Sequence, residues 1–170
     1  MNRSELVNEV KNWLESGEIA FTADDEAIFR FRVNADNGLF DVRLLCEDEP
    51  TMLQVYCPVP VRIPTEKVSE TGLLLHNINT RLRVGAFQLH VEERIVEFRL
   101  IMPIRPDGEL AEQFGQTVGT TLTTMDEYVR TLGLLACATP ESQREVAKLS
   151  PSAEAAGSNA RLPSGRLELN

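Results

Sequence analysis

The sequence predicts an α+β domain built as a helix, three antiparallel strands, a helix, two strands and a helix, with the sheet packed by helices. Three observations carry this. Apolar residues recur at spacings of three and four in three segments, and alternate with polar residues in others. Between the segments lie Gly, Pro, Asn or acidic clusters, the residues that tight turns and caps favour.

The first helix spans about Arg3 to Ser16, with Leu6, Val7, Val10, Trp13 and Leu14 on one side. Asn2 with Glu5 predicts a capping box, and Gly17 a stop. Asp24, Asp25 and Glu26 read as an acidic turn before a strand that points Phe29, Phe31 and Val33 inward and Arg30 and Arg32 outward. Asn37-Gly38 predicts a tight hairpin with positive φ, leading into a strand with Phe40, Val42, Leu44 and Cys46 inward. Glu47 to Pro50 turns the chain again, and Leu53, Val55, Cys57 and Val59 line the third strand, which should end at Pro58 and Pro60 because proline donates no ladder hydrogen bond.

Pro64 and Thr65 open a second helix with Val68, Thr71, Leu75, Ile78 and Leu82 in a stripe. Past Gly85, one strand carries Phe87, Leu89 and Val91 and the next carries Val96, Phe98, Leu100 and Met102, joined by a Glu92-Glu93-Arg94 turn. Pro106-Asp107-Gly108 precedes a long helix through Phe114, Val118, Leu122, Met125, Val129 and Leu132, ending near Ala136. One domain is therefore predicted over 1–137, a further short helix over 138–149, and a polar, disordered tail over 150–170.

The net charge of −9 disfavours nucleic acid and anionic membrane as partners and predicts a neutral or basic one, since the average field repels phosphate surfaces. No apolar run approaches the roughly 20 residues of a membrane helix, and the amino-terminal segment lacks signal-peptide character, so the expected location is the cytoplasm. Cys46, Cys57 and Cys137 all lie in apolar patterns and are expected to be free, reduced and unreactive.

The segments Leu39-Phe40-Asp41-Val42, Val55-Tyr56-Cys57-Pro58-Val59-Pro60, Asn77-Ile78-Asn79, Gly85-Ala86-Phe87 and Asp126-Glu127-Tyr128 resemble the YbjN-domain family, whose fold is similar to that of type III secretion chaperones. The resemblance spans about Glu5 to Leu135 in element order. It implies a small acidic cytoplasmic homodimer that holds or senses another protein, in a family labelled as sensory transduction regulators. The longer polar tail after Leu149 departs from it.

Chemistry-bearing constellations are not apparent. His76 and His90 fall on separate elements without metal-ligand spacing around them, and the acidic turns lack the alternating ligands of a calcium loop. Gly115 and Gly119 read as a packing contact, and Arg30, Arg32 and Arg43 as solvated charges on one face. No catalytic residue, metal or cofactor is predicted.

The outward positions of the sheet are more informative, because Leu39, Leu45, Met52, Tyr56, Ile95 and Ile101 interrupt an otherwise polar set. The preferred account is that the first or last helix crosses this face; the other is that the strip is a dimer or client surface. The functional reading is a noncatalytic, chaperone-like or adaptor-like module that holds a client protein segment. The alternative is a regulatory sensor binding a small ligand, and an enzyme ranks last.

Overall fold

A computed structural model describes residues 1–105 and 108–137. The element order is α1 (Arg3–Ser16), β1 (Phe21–Asp25), β2 (Ile28–Ala35), β3 (Gly38–Glu47), β4 (Met52–Arg62), α2 (Val68–Asn79), β5 (Ala86–His90), β6 (Ile95–Pro103) and α3 (Leu110–Cys137), with a 3-10 turn at Thr65–Lys67 leading into α2. All strand pairs are antiparallel, in the order β1-β2-β3-β4-β6-β5. The predicted 138–149 helix and 150–170 tail lie outside the described residues, as do Pro106 and Asp107 of the predicted turn.

Helix α1 begins and ends where its caps dictate. The Asn2 side chain accepts the Glu5 backbone N–H at 2.9 Å, and the Glu5 carboxylate accepts the Asn2 N–H at 2.9 Å, which satisfies two donors that a helix start leaves bare. Its buried Leu6, Val10 and Leu14 pack with the buried residues of α2 and α3 and with the predicted inward residues of β2, β3, β4 and β6 in one core. Trp13 meets Phe114 of α3 edge-on, with ring centroids 6.0 Å apart.

The sheet has six strands. The added strand is β1, which pairs with β2 from Phe21↔Phe31 to Asp25↔Ile28. Only Phe21 is even half-buried in it, so the alternation that marks the other strands has nothing to display there. Asp24, read as part of a turn, belongs to this strand and ion-pairs with Arg30.

Three other expectations are corrected. The β2–β3 connection is Asp36–Asn37, since Ala35 pairs with Gly38, and neither residue nor Gly38 has positive φ. Helix α3 holds this turn instead: the Asp126 carboxylate accepts the Asn37 backbone N–H at 2.7 Å and its amide at 2.9 Å. Strand β4 runs past Pro58 and Pro60 to Arg62, with the register against β6 shifting between Pro58 and Arg62; pairing with β3 extends only as far as Tyr56, so the missing proline donors disrupt few ladder bonds. Val91 lies beyond β5 and is exposed.

Two devices fix the outer hairpin of β5 and β6. Asn79, at the end of α2, accepts the Phe87 backbone N–H at 2.8 Å and donates to its carbonyl at 2.9 Å, an amide clamp on an edge strand. Gly85 has φ +71°, and a side chain there would overlap the ring of Phe98. Phe87 then packs between Phe98, tilted with ring centroids 5.1 Å apart, and Tyr128, edge-on at 5.8 Å.

Cys46 faces Leu53 across the β3–β4 ladder, and Cys57 faces Phe98 across the β4–β6 ladder, so the two thiols are not register partners. Burial pushes each up from 9.0 to about 12, with Arg3 drawing Cys46 slightly back and Asp41 and Glu97 adding to the rise at Cys57. Cys137 is exposed, a correction to its expected place in the core, because it follows the last buried residue of α3, Leu135. A thiol reagent at pH 8 is expected to modify one cysteine per chain quickly and the other two only on unfolding; three fast thiols would contradict this packing. The buried thiols favour the folded state below pH 9.0, and that contribution is lost as pH rises toward 12.

Candidate functional site

Period-two alternation sends every second side chain of β2, β3, β4 and β6 away from the core, and the ladder registers align these outward residues into rows across the sheet. One row is Arg30, Arg43, Tyr56 and Arg99, each directly opposite the next. The adjacent row is Ile28, Leu45, Gln54 and Ile101.

The first row is organised around Tyr56. The guanidinium groups of Arg43 and Arg99 each sit 5.4 Å from its ring centroid, a double cation–π arrangement worth about 0.5–1 kcal/mol per contact at an exposed site. The Tyr56 hydroxyl donates to Gln54 Oε1 at 2.6 Å, and Arg99 Nε donates to the same oxygen at 2.9 Å, as does Arg99 Nη2. Arg43 reaches across β4 to ion-pair with Glu97, whose other carboxylate oxygen lies 3.4 Å from His90 Nε2. Gln54 is only 3% exposed and Glu97 5%, so these side chains cover one another and form a built layer.

None of the described helices covers this face, which corrects the preferred sequence account. The buried apolar residues of α1 and α2, and those of α3 from Phe114 to Leu132, join the core on the other side, and Leu39, Leu45, Met52, Tyr56, Ile95 and Ile101 do not belong to that core. Leu39 is 53% exposed and Ile101 43%; the other four are half-buried. Topology gathers Leu45, Met52, Tyr56 and Ile101 around Gln54. Leu39 and Ile95 stand six residues along their strands from Leu45 and Ile101, about 20 Å at the rise of a strand, and are not part of that patch.

Beside the Tyr56 row, toward β1, an open depression of about 630 Å³ is lined by Phe21, Thr22, Arg30, Arg32, Asp41 and Arg43 among others. The arginines read as solvated charges are paired here: Arg30 with Asp24, Arg32 with Asp41 at 2.7 Å, and Arg43 with Glu97. Sequence reasoning missed Gln54, Glu97 and Arg99. Outward parity was the available signal, but the β4–β6 register that brings them together joins segments more than forty residues apart.

His90 sits beside Glu97 and His76 is exposed on α2. Among the described residues, no group of three His, Cys, Asp or Glu is placed to hold a metal ion, and no helix is long and apolar enough to cross a membrane. A side chain at Gly115 or Gly119 would meet open space, so neither glycine is required for the close packing that their spacing predicted.

The architecture is shared with solved structures. YbjN from E. coli superposes with a TM-score of 0.55 at 13% identity, covering 72% of this chain and 87% of that one. A chain of the ExsC–ExsE complex superposes with a TM-score of 0.51 at 17% identity, covering 82% of this chain and all (100%) of that one. No curated protein matches the sequence. Residues 6–134, from within α1 to within α3, match the model of the family described as "Putative bacterial sensory transduction regulator", and the chain belongs to that family, YbjN.

Proposed function

We propose that this chain is a noncatalytic protein-binding module, chaperone-like or adaptor-like, that works in the cytoplasm as a homodimer and holds an extended segment of a client protein. The observation that carries the reading is the open outer sheet face. It combines half-exposed Leu45, Met52 and Ile101 with an ordered Arg43–Tyr56–Arg99 stack, the aromatic and arginine composition that protein interfaces favour. The fold shared with a chain of the ExsC–ExsE complex, itself an assembly of two proteins, supports it. A second reading, a sensor of a small anionic ligand, rests on the arginine-lined depression, whose volume falls within the usual range for ligand sites.

Site-specific photo-crosslinking in cells separates these. A photoreactive residue at Leu45 or Ile101 is expected to trap a second protein, whereas one at Leu73, exposed on α2, traps none. Adducts at all three positions alike, or at none, would contradict the client-binding reading. Absent adducts together with a melting temperature raised by a small anion would favour the sensor.

A further inference from the structure

We infer that Arg99 and Ile101 form a recognition site for an extended acidic segment, in which a carboxylate docks on Arg99 against Tyr56 and an aliphatic side chain two residues away docks on Ile101. This rests on the protein-binding reading and names the chemistry of the segment that the outer face takes.

The argument begins with charge. Among the described residues, four arginines point outward from β2, β3 and β6, and three of them already face carboxylates: Arg30 with Asp24, Arg32 with Asp41, and Arg43 with Glu97. Arg99 differs. Its Nε and Nη2 both donate to one neutral amide oxygen, Gln54 Oε1, which also accepts the Tyr56 hydroxyl. An amide oxygen has two lone pairs and here meets three donors, while a guanidinium fork is matched best by the two oxygens of a carboxylate. The side chain is already held by its stack on Tyr56 at 5.4 Å, so little rotamer freedom remains to be lost when an anion arrives.

The spacing of the site defines the ligand further. Arg99 and Ile101 are two apart on β6 and project from the same face, about 7 Å from each other. Residues i and i+2 of an extended segment share that spacing, so a segment along β6 that places Glu or Asp over Arg99 places its second residue onward over Ile101, which is 43% exposed, with Leu45 across Gln54. The overall charge of −9 favours a neutral or basic partner on average, but the local field at Arg99 differs: charges beyond about 8 Å are largely screened at physiological salt, and the outward carboxylate two residues away on β6, Glu97, is ion-paired with Arg43.

The test uses the full chain and two fluorescein-labelled decapeptides, one containing two Glu-Ser-Leu units in a Gly/Ser frame and the other with Gln for both Glu. By fluorescence anisotropy, the acidic peptide is expected to bind at least tenfold more tightly, with the preference shrinking as salt is raised. Arg99→Gln should abolish the preference, and Arg99→Lys, which keeps charge without the fork, should retain part of it. Arg130→Gln on α3 should leave it intact. The peptide pair on the unaltered chain decides the matter even if Arg99→Gln misfolds. Equal affinities, or binding of neither peptide, would overturn the acidic-segment site, while the crosslinks at Leu45 and Ile101 judge protein binding separately. Peptide binding that weakens as protein concentration rises would assign the face to a second copy and also overturn it.

Discussion

Phe98→Ala is expected to lower the unfolding free energy by about 3–5 kcal/mol, the range for removing a buried aromatic and leaving a cavity. Phe98 has no exposed surface. It lies opposite Cys57 on β4 and Phe87 on β5, so it packs between the central sheet and its edge strand. Its ring lies 5.1 Å from that of Phe87, and truncation forfeits that contact as well as the transfer free energy of the ring. For a domain of this size the loss corresponds to a fall in melting temperature of roughly 6–20 °C. Urea unfolding followed by circular dichroism measures it, and a loss below about 1 kcal/mol would show that the hairpin repacks freely.

Gly85→Ala should destabilise by about 2–5 kcal/mol for two separable reasons. The backbone at φ +71° costs an L-residue about 1–2 kcal/mol, and the added methyl would overlap Phe98 Cζ and lie 3.0 Å from the Arg99 carbonyl oxygen, an overpacking of about 1–3 kcal/mol. The two substitutions are therefore coupled. In the Phe98→Ala background the methyl enters the vacated space, leaving only the backbone cost and the contact with the Arg99 carbonyl oxygen, so the double variant should be at least about 1 kcal/mol more stable than the sum of the singles predicts. Strict additivity would mean that the ring does not close on Gly85.

Elements whose signals are local are legible in the sequence. The Asn2–Glu5 box and Gly17 bound α1 because a cap is a matter of neighbouring residues, and the α3 stripe names side chains that are buried; in the α2 stripe Thr71, Leu75 and Ile78 are buried, whereas Val68 is half-buried and Leu82 lies past the helix end at Asn79. β1 is invisible there for the converse reason. It is a short edge strand with little burial, and its identity comes from pairing with β2, not from its own pattern. The Asp36–Asn37 turn follows the same logic: Asn-Gly announces a reversal, but Asp126, almost ninety residues on, sets its conformation.

At the candidate site, the sequence marks Leu45, Met52, Tyr56 and Ile101 as outward apolar residues and also draws in Leu39 and Ile95. Parity along a strand reports which face a residue occupies and nothing about its lateral neighbours. Gln54, Glu97 and Arg99 acquire their roles only because the chain, after crossing α2 and β5, returns β6 to the side of β4. By itself the sequence determined the α+β class, the caps of α1, the inward faces of β2, β3, β4 and β6 and five of the six strands, because each depends on period or on a few adjacent residues. The tertiary structure alone decided that the described helices share one side of the sheet and leave the Arg43–Tyr56–Arg99 face open, because burial of a single core is a competition among all the amphipathic faces at once.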